Sequence, residues 1–204
     1  MTKPFTFALG VLLLSSSCSY ISYSNVLPLI KSATIGNDGI ELTKKFIAEQ
    51  PYSFIRVDLG KGANIIMVLL KTENNFYTWM SATGEKLVTY NGKIVRTSGL
   101  PHNLEIFNGS AFKLFSEEKF YSGIFDIMLK DPQAFIEHDF AISIIEDDPN
   151  ADYLLIEEKI NVEVLNNTYS NFYWVDKTSG KVIKSKQAIN PKLTPLRIDF
   201  IYKY

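Results

Sequence analysis

The chemistry this chain advertises most plainly is acylation of a thiol. Its one cysteine, Cys18, follows the apolar run Phe5 to Leu14 and the small residues Ser15, Ser16 and Ser17, with Lys3 ahead of the run. A short positive region, an apolar stretch and small residues are the layout of a secretory signal. The run of 10 residues is about half of the ~20 that a spanning helix needs. Small residues directly before a cysteine suggest the bacterial lipoprotein signal, in which cleavage leaves Cys18 as an acylated first residue. Ser15 holds the place, three before the cysteine, where such signals usually carry Leu. The alternative is an ordinary cleaved signal with an incidental cysteine. Acylation would matter greatly, since each buried methylene adds ~0.8 kcal/mol and two or three chains anchor a domain where one does not. Ser19, in place of the Asp that retains lipoproteins at the inner membrane, points to the outer membrane.

The other residues that could do chemistry give less. Trp79 and Trp174 sit in aromatic stretches; they are either core rings or platforms on which a sugar could stack. Arg96 alternates with Ile94 and Ser98, so it reads as half-buried and in need of a carboxylate. Asp58 and Asp176 are the candidate partners, and contact with a ligand is the other use for it. His102 and His138 are far apart, with no second cysteine to make a zinc set. Glu146, Asp147, Asp148 and Asp152 lack calcium-loop spacing and read as a solvated loop. Gly60-Lys61-Gly62 lacks the lysine-serine ending of a phosphate loop. There is no G-x-S-x-G nucleophile turn and no support for the paired carboxylates of a glycosidase. No catalytic residue, cofactor or metal is called for. The net charge of -1 gives no electrostatic case for nucleic acid.

Any such residue must be held by strands. The chain has 204 residues, is 46% hydrophobic and 21% charged, and carries 14 Phe and 11 Tyr, a composition that favours strands over helices. Period-2 alternation marks 53–59, 76–81, 86–90, 93–98, 134–145, 153–165, 170–176, 181–188 and 196–202. Residues 63–71, ANIIMVLLK, form a continuous apolar run that suits a strand buried on both faces. Asn91-Gly92 between two alternating runs is a type I′ hairpin signal. Thr43 reads as the N-cap of a short helix closed by Pro51, with Phe46 and Ile47 toward the sheet. Residues 104–107 read as a short strand. Phe112, Phe115 and Phe120 could line a short helix, and 124–130 reads as helical or irregular. The expectation from this pattern is a mainly β protein, an antiparallel sandwich or barrel with one or two short helices. Residues 1–17 are the signal, 18–31 the cysteine and tether, and 32–204 one β-rich domain.

Two sets of residues carry a family likeness. The first is Trp79-Met80-Ser81-Ala82-Thr83-Gly84 with Gly92-Lys93-Ile94-Val95-Arg96-Thr97-Ser98-Gly99-Leu100 and Asn103-Leu104. The second is Tyr173-Trp174-Val175-Asp176, Thr178-Ser179-Gly180-Lys181-Val182, Ser185-Lys186-Gln187 and Pro191. Together with Pro51-Tyr52-Ser53 they resemble the YjbF family of bacterial lipoproteins, over nearly the whole mature chain. The resemblance implies an outer-membrane lipoprotein facing the periplasm and linked to making or exporting an extracellular or capsular polysaccharide. It implies a large antiparallel meander sheet folded into a sandwich or half-open barrel, and no known catalytic residues. On this reading the partners are the membrane, through acyl chains on Cys18, and polysaccharide export or assembly proteins or a glycan. Trp79, Arg96 and Trp174 are the candidate contacts. A carrier of a lipid or lipid-linked intermediate is the alternative.

Overall fold

The computed structural model describes residues 41–59, 64–100, 102–107, 120–130, 133–146, 148–189 and 193–203. The signal, Cys18, the tether, the Gly60-Lys61-Gly62 turn and the expected helix at Phe112 and Phe115 lie outside them.

Among the described residues, one helix, α1 (Lys44–Glu49), precedes twelve strands. These are β1 (Phe54–Asp58), β2 (Ile65–Glu73), β3 (Phe76–Ser81), β4 (Lys86–Tyr90), β5 (Lys93–Ser98) and β6 (Leu104–Ile106), then β7 (Phe120–Lys130), β8 (Gln133–Glu146), β9 (Tyr153–Val162), β10 (Asn167–Asp176), β11 (Val182–Gln187) and β12 (Leu196–Ile201). Each strand pairs with its neighbours in sequence, and β1 pairs antiparallel with β12, Phe54 opposite Ile201 through Asp58 opposite Arg197. The meander therefore closes fully, where the sequence suggested a sandwich or half-open barrel. Closure removes the unpaired edges that an open sheet would present.

The pleat sorts side chains between lumen and exterior. Ile55 and Val57, Trp79, Leu87, Phe140 and Ile142, Ile156 and Ile160, Tyr173 and Val175, and Ile198 and Phe200 fill the interior. The barrel is pinched rather than hollow. A Cβ on Gly92 would fall 2.4 Å from Val182 Cβ, so the head of β5 lies directly against β11 across the lumen. Asn91 and Gly92 both have positive φ, 48° and 83°, as the type I′ turn requires. Asn74 and Asn75, at 49° and 66°, make the same turn between β2 and β3.

Outside the barrel, Thr43 Oγ1 accepts from the Phe46 amide at 3.1 Å and caps α1. Phe46 packs edge-on against Phe54, centroids 5.8 Å apart, which covers the outer face of β1. Two expectations fail here. Residues 124–130 belong to an 11-residue strand paired with β8 along its full length. Ile124 and Met128 share a phase with Asp126 and Lys130, which blurs the period, and pairing with the well-patterned β8 decides its state. Gly123 in its middle breaks the local signal, yet a Cβ there would lie 3.0 Å from the Phe140 ring; the glycine is where two strands' contents crowd. Strand β9 also stops at Val162, and Val164 is exposed in a single 3-10 turn, Glu163–Leu165, ended by Asn166 at φ 45°.

Candidate functional site

Of the four residues singled out above, three are described. Trp79 is in the core at 0% exposure. Its indole N–H donates to Thr89 Oγ1 at 2.9 Å, and Tyr77, Phe200 and Tyr202 pack around the rings at centroid distances of 6.0 to 6.3 Å. No face of it meets solvent, so the platform use is not available to it in this fold.

Trp174 faces outward on β10, in phase with Phe172 and between the buried Tyr173 and Val175. The facing strand supplies a lysine over each ring: Lys184 Nζ lies 5.3 Å from the Trp174 centroid and Lys186 Nζ 5.9 Å from that of Phe172. Cross-strand register sets both pairs, Trp174 opposite Lys184 and Phe172 opposite Lys186. The result is a short exterior ladder of rings and ammonium groups. Contacts of this kind are worth ~0.5–1 kcal/mol each at exposed sites.

Arg96 is placed differently from expectation. A bulge at Val95 (Thr89 faces Ile94, but Val88 faces Arg96) resets the alternation, so Ile94 and Thr97 point inward and Arg96 outward. Its side chain is 58% exposed, and its partner is Glu105, directly opposite on β6, not Asp58 or Asp176. Lys130 Nζ reaches the other oxygen of Glu105 at 2.9 Å. Burial alone would raise the Glu105 carboxyl; the Lys130 hydrogen bond and the Arg96 charge overcome that and hold it below its ordinary value. Asp176 instead closes its own turn, accepting from the Ser179 amide at 2.6 Å and hydroxyl at 2.7 Å.

The interior holds a polar cluster that the sequence reading missed. Lys93 Nζ pairs with Glu158 Oε1, and the two side chains are 2% and 0% exposed. Glu158 Oε2 accepts from Asn171 Nδ2 at 2.9 Å and from the Tyr173 hydroxyl at 2.8 Å. Gln187 donates to Gly92 O and Ser185 Oγ, both at 2.8 Å, and accepts the Ile94 amide at 2.8 Å. Burial, then the Glu158 charge, pushes the Tyr173 hydroxyl well above its usual range. His138 lies beside this cluster, its pKa lowered to about 4 by burial and then by the Lys93 charge. A signal was available: Glu158 is in phase with Ile156, Ile160 and Val162, and His138 with Ile136, Phe140 and Ile142. A polar residue on an apolar inward phase needs a buried partner.

The cluster also explains why the two sequence signatures occur together. Gln187 of one bonds the Gly92 carbonyl and the Ile94 amide of the other across the pinched lumen, and is itself held by Ser185 and Tyr173. The remaining motif residues close loops. Ser81 Oγ accepts from the amides of Thr83, Gly84 and Glu85. Asn103 accepts the Leu100 amide and returns a bond to its carbonyl.

Two hollows among the described residues bear on the site residues. An apolar pocket of about 240 Å³ sits at one end of the barrel, between Leu59, Leu100, His102, Ile189, Leu193 and Leu196. A larger hollow of about 480 Å³ lies on the outer face of β2 to β6, with Arg96 on its wall.

Comparison with known proteins agrees with this architecture. The uncharacterized lipoproteins GfcB and YjbF of Escherichia coli (strain K12) are each 23% identical to the chain over 211 residues, covering 98% of both partners. The crystal structure of the hypothetical lipoprotein YmcC from E. coli K12 superposes with a TM-score of 0.72 at 19% identity, over 89% of this chain and 95% of that one. It shares the fold. The family described as "Group 4 capsule polysaccharide lipoprotein gfcB, YjbF" matches residues 29–125 and 140–201. With both signatures inside those limits and meeting at the pinch of the barrel, the chain belongs to the YjbF family.

Proposed function

We propose that the protein is a lipid-anchored accessory of capsular or extracellular polysaccharide production. It holds a glycan or an export protein against its barrel exterior, and it performs no chemistry of its own. The observation that carries this is the family match across residues 29–125 and 140–201. The anchor is Cys18, acylated after removal of residues 1–17, and the location is the periplasmic face of the outer membrane. Two structural features support a docking role over a catalytic one. The buried ionisable groups Lys93, Glu158 and Tyr173 are engaged with one another inside the barrel. The aromatic and cationic side chains that reach solvent, Trp174, Phe172, Lys184 and Lys186, form an ordered exterior surface. A carrier of a lipid-linked intermediate would need an apolar cavity of ~300 Å³ or more; the apolar pocket at the barrel end is about 240 Å³, and the apolar hollow of about 480 Å³ beside Ile183, Phe200 and Tyr202 is shallow and open to solvent.

Deleting the gene should lower the amount of polysaccharide at the cell surface, and the intact gene in trans should restore it. Unchanged surface polysaccharide in the deletion strain, under conditions in which the wild type makes it, would count against this function.

A further inference from the structure

The hollow on the outer face of β2 to β6 has the features of a binding site, and its shape has a cause. Strand β2 carries a bulge at Leu70, since Leu69 faces Trp79 and Lys71 faces Thr78. Strand β5 carries the bulge at Val95. A bulge bends its strand and sharpens the local twist, and two of them flank β3 and β4. The enclosed volume, about 480 Å³, lies within the ~300–1,000 Å³ of small-molecule sites.

Its lining is chemically mixed. Phe76 presents a ring, held 4.8 Å from Tyr90; Val88 adds an apolar floor; Thr78 and Asn74 add a hydroxyl and a carboxamide. The Asn74-Asn75 type I′ turn fixes the carboxamide end. Arg96 supplies the charge. Its guanidinium pairs with Glu105 through Nη2, is 58% exposed and lines the hollow. Glu105 is shared with Lys130, so these three groups sum to one positive charge. Glu73 on the rim is paired with Lys71 at 2.5 Å and adds none.

A planar donor fork matches a carboxylate, an aromatic ring suits the apolar face of a pyranose, and neutral hydroxyl and amide groups suit its hydroxyls. We propose that this hollow takes a carboxylate-bearing sugar unit of an acidic polysaccharide, with Arg96 on the carboxylate, Phe76 under the ring, and Thr78 and Asn74 on hydroxyls. The proposal deepens the glycan-docking reading above and rests on it.

The test is calorimetric titration of the full-length protein in detergent micelles with tetragalacturonate and with its carboxyl-reduced, neutral counterpart. Saturable binding of the uronate is expected. Carboxyl reduction and Arg96→Gln should each weaken it by about tenfold or more, as for loss of a hydrogen bond to a charged group, and Phe76→Ala should weaken it through loss of the ring contact. Arg96→Lys, which keeps the charge and loses the fork, should fall between. Far-UV circular dichroism of each variant checks that the barrel is intact, and Thr78→Val provides a second probe if Arg96→Gln is not. Equal binding of the neutral sugar, wild-type binding by folded Arg96→Gln, or no binding of the uronate would each overturn the proposal. Failure here is distinguishable from failure of the accessory function. If Arg96→Gln restores polysaccharide to the deletion strain as fully as wild type, the hollow is wrong and the accessory role stands. A deletion with no phenotype removes the accessory role itself.

Discussion

Glu158 collects three donors, from Lys93, Asn171 and Tyr173, in a space with no access to water. A buried ion pair of this kind is weak evidence for stability, because desolvation of both charges offsets their attraction. What it does supply is placement: β5, β9 and β10 meet at one carboxylate, and a slip of one residue in any of them would break the set. His138 is the neighbour whose charge state responds to pH. Its pKa falls from 6.5 in the unfolded chain to about 4, through burial first and the Lys93 charge second, with Glu158, Asp126 and Asp139 opposing. Below pH 6.5 the unfolded chain binds a proton there that the folded chain refuses. The stability from this histidine is therefore complete above pH 6.5 and lost as pH falls toward 4. Each pH unit is worth ~1.4 kcal/mol, so urea unfolding should show a loss of about 2 kcal/mol between pH 7 and pH 5. His138→Leu should flatten that difference; a variant with the wild-type slope would assign the effect to other groups.

Turns and bulges do the positioning one level up. Two glycines look alike in sequence, each at a turn between strands, and the structure separates them. Gly84 has φ 97° and nothing within 4 Å of an added Cβ; Gly92 has φ 83° and Val182 at 2.4 Å. Gly84→Ala should therefore cost only the left-handed backbone penalty, ~1–2 kcal/mol. Gly92→Ala adds an overlap that backbone must relieve, and overpacking of this sort costs ~1–3 kcal/mol more. Chemical denaturation of the two variants should rank them so; equal losses would mean that β5 and β11 are not pressed together. The Asn91-Gly92 turn was legible from the dipeptide, because only such residues tolerate positive φ twice in succession. The closeness to Val182 was not, since it depends on a strand about 90 residues away. Arg96 shows the same limit. Counting alternation through Val95 puts it on the wrong side, and a bulge leaves no mark in the residues it contains.

Closure of the barrel and the proposed attachment to a membrane belong to the molecule as one body. Strands β1 and β12 join the two ends of the described fold, with Arg56 donating to Asp199 through Nε at 3.0 Å and Nη2 at 2.6 Å across that seam. Lys203 then reaches the Ser53 hydroxyl from beyond β12, at 2.9 Å. Stability thus depends on contacts between the extremes of the described fold. Cys18→Ser should accordingly leave the barrel folded, with an unchanged thermal transition, and release it from membranes to the soluble fraction. Retention of the variant in the outer-membrane fraction would show that something other than an acyl chain holds it there.

Strand content, the hairpin turns and the capped helix are readable from local pattern, because each rests on side-chain period or on a backbone angle that few residues accept. The resemblance, carried by Gly92-Lys93-Ile94 and Ser185-Lys186-Gln187, pointed to residues whose roles it could not supply. Folding supplied them. Gln187 clamps Gly92 and Ile94, Glu158 neutralises Lys93, and Trp79 goes to the core while Trp174 goes to solvent. These outcomes turn on which strands face each other and where a ladder skips a residue. Such facts arise from pairing between distant segments, and a one-dimensional period cannot encode them.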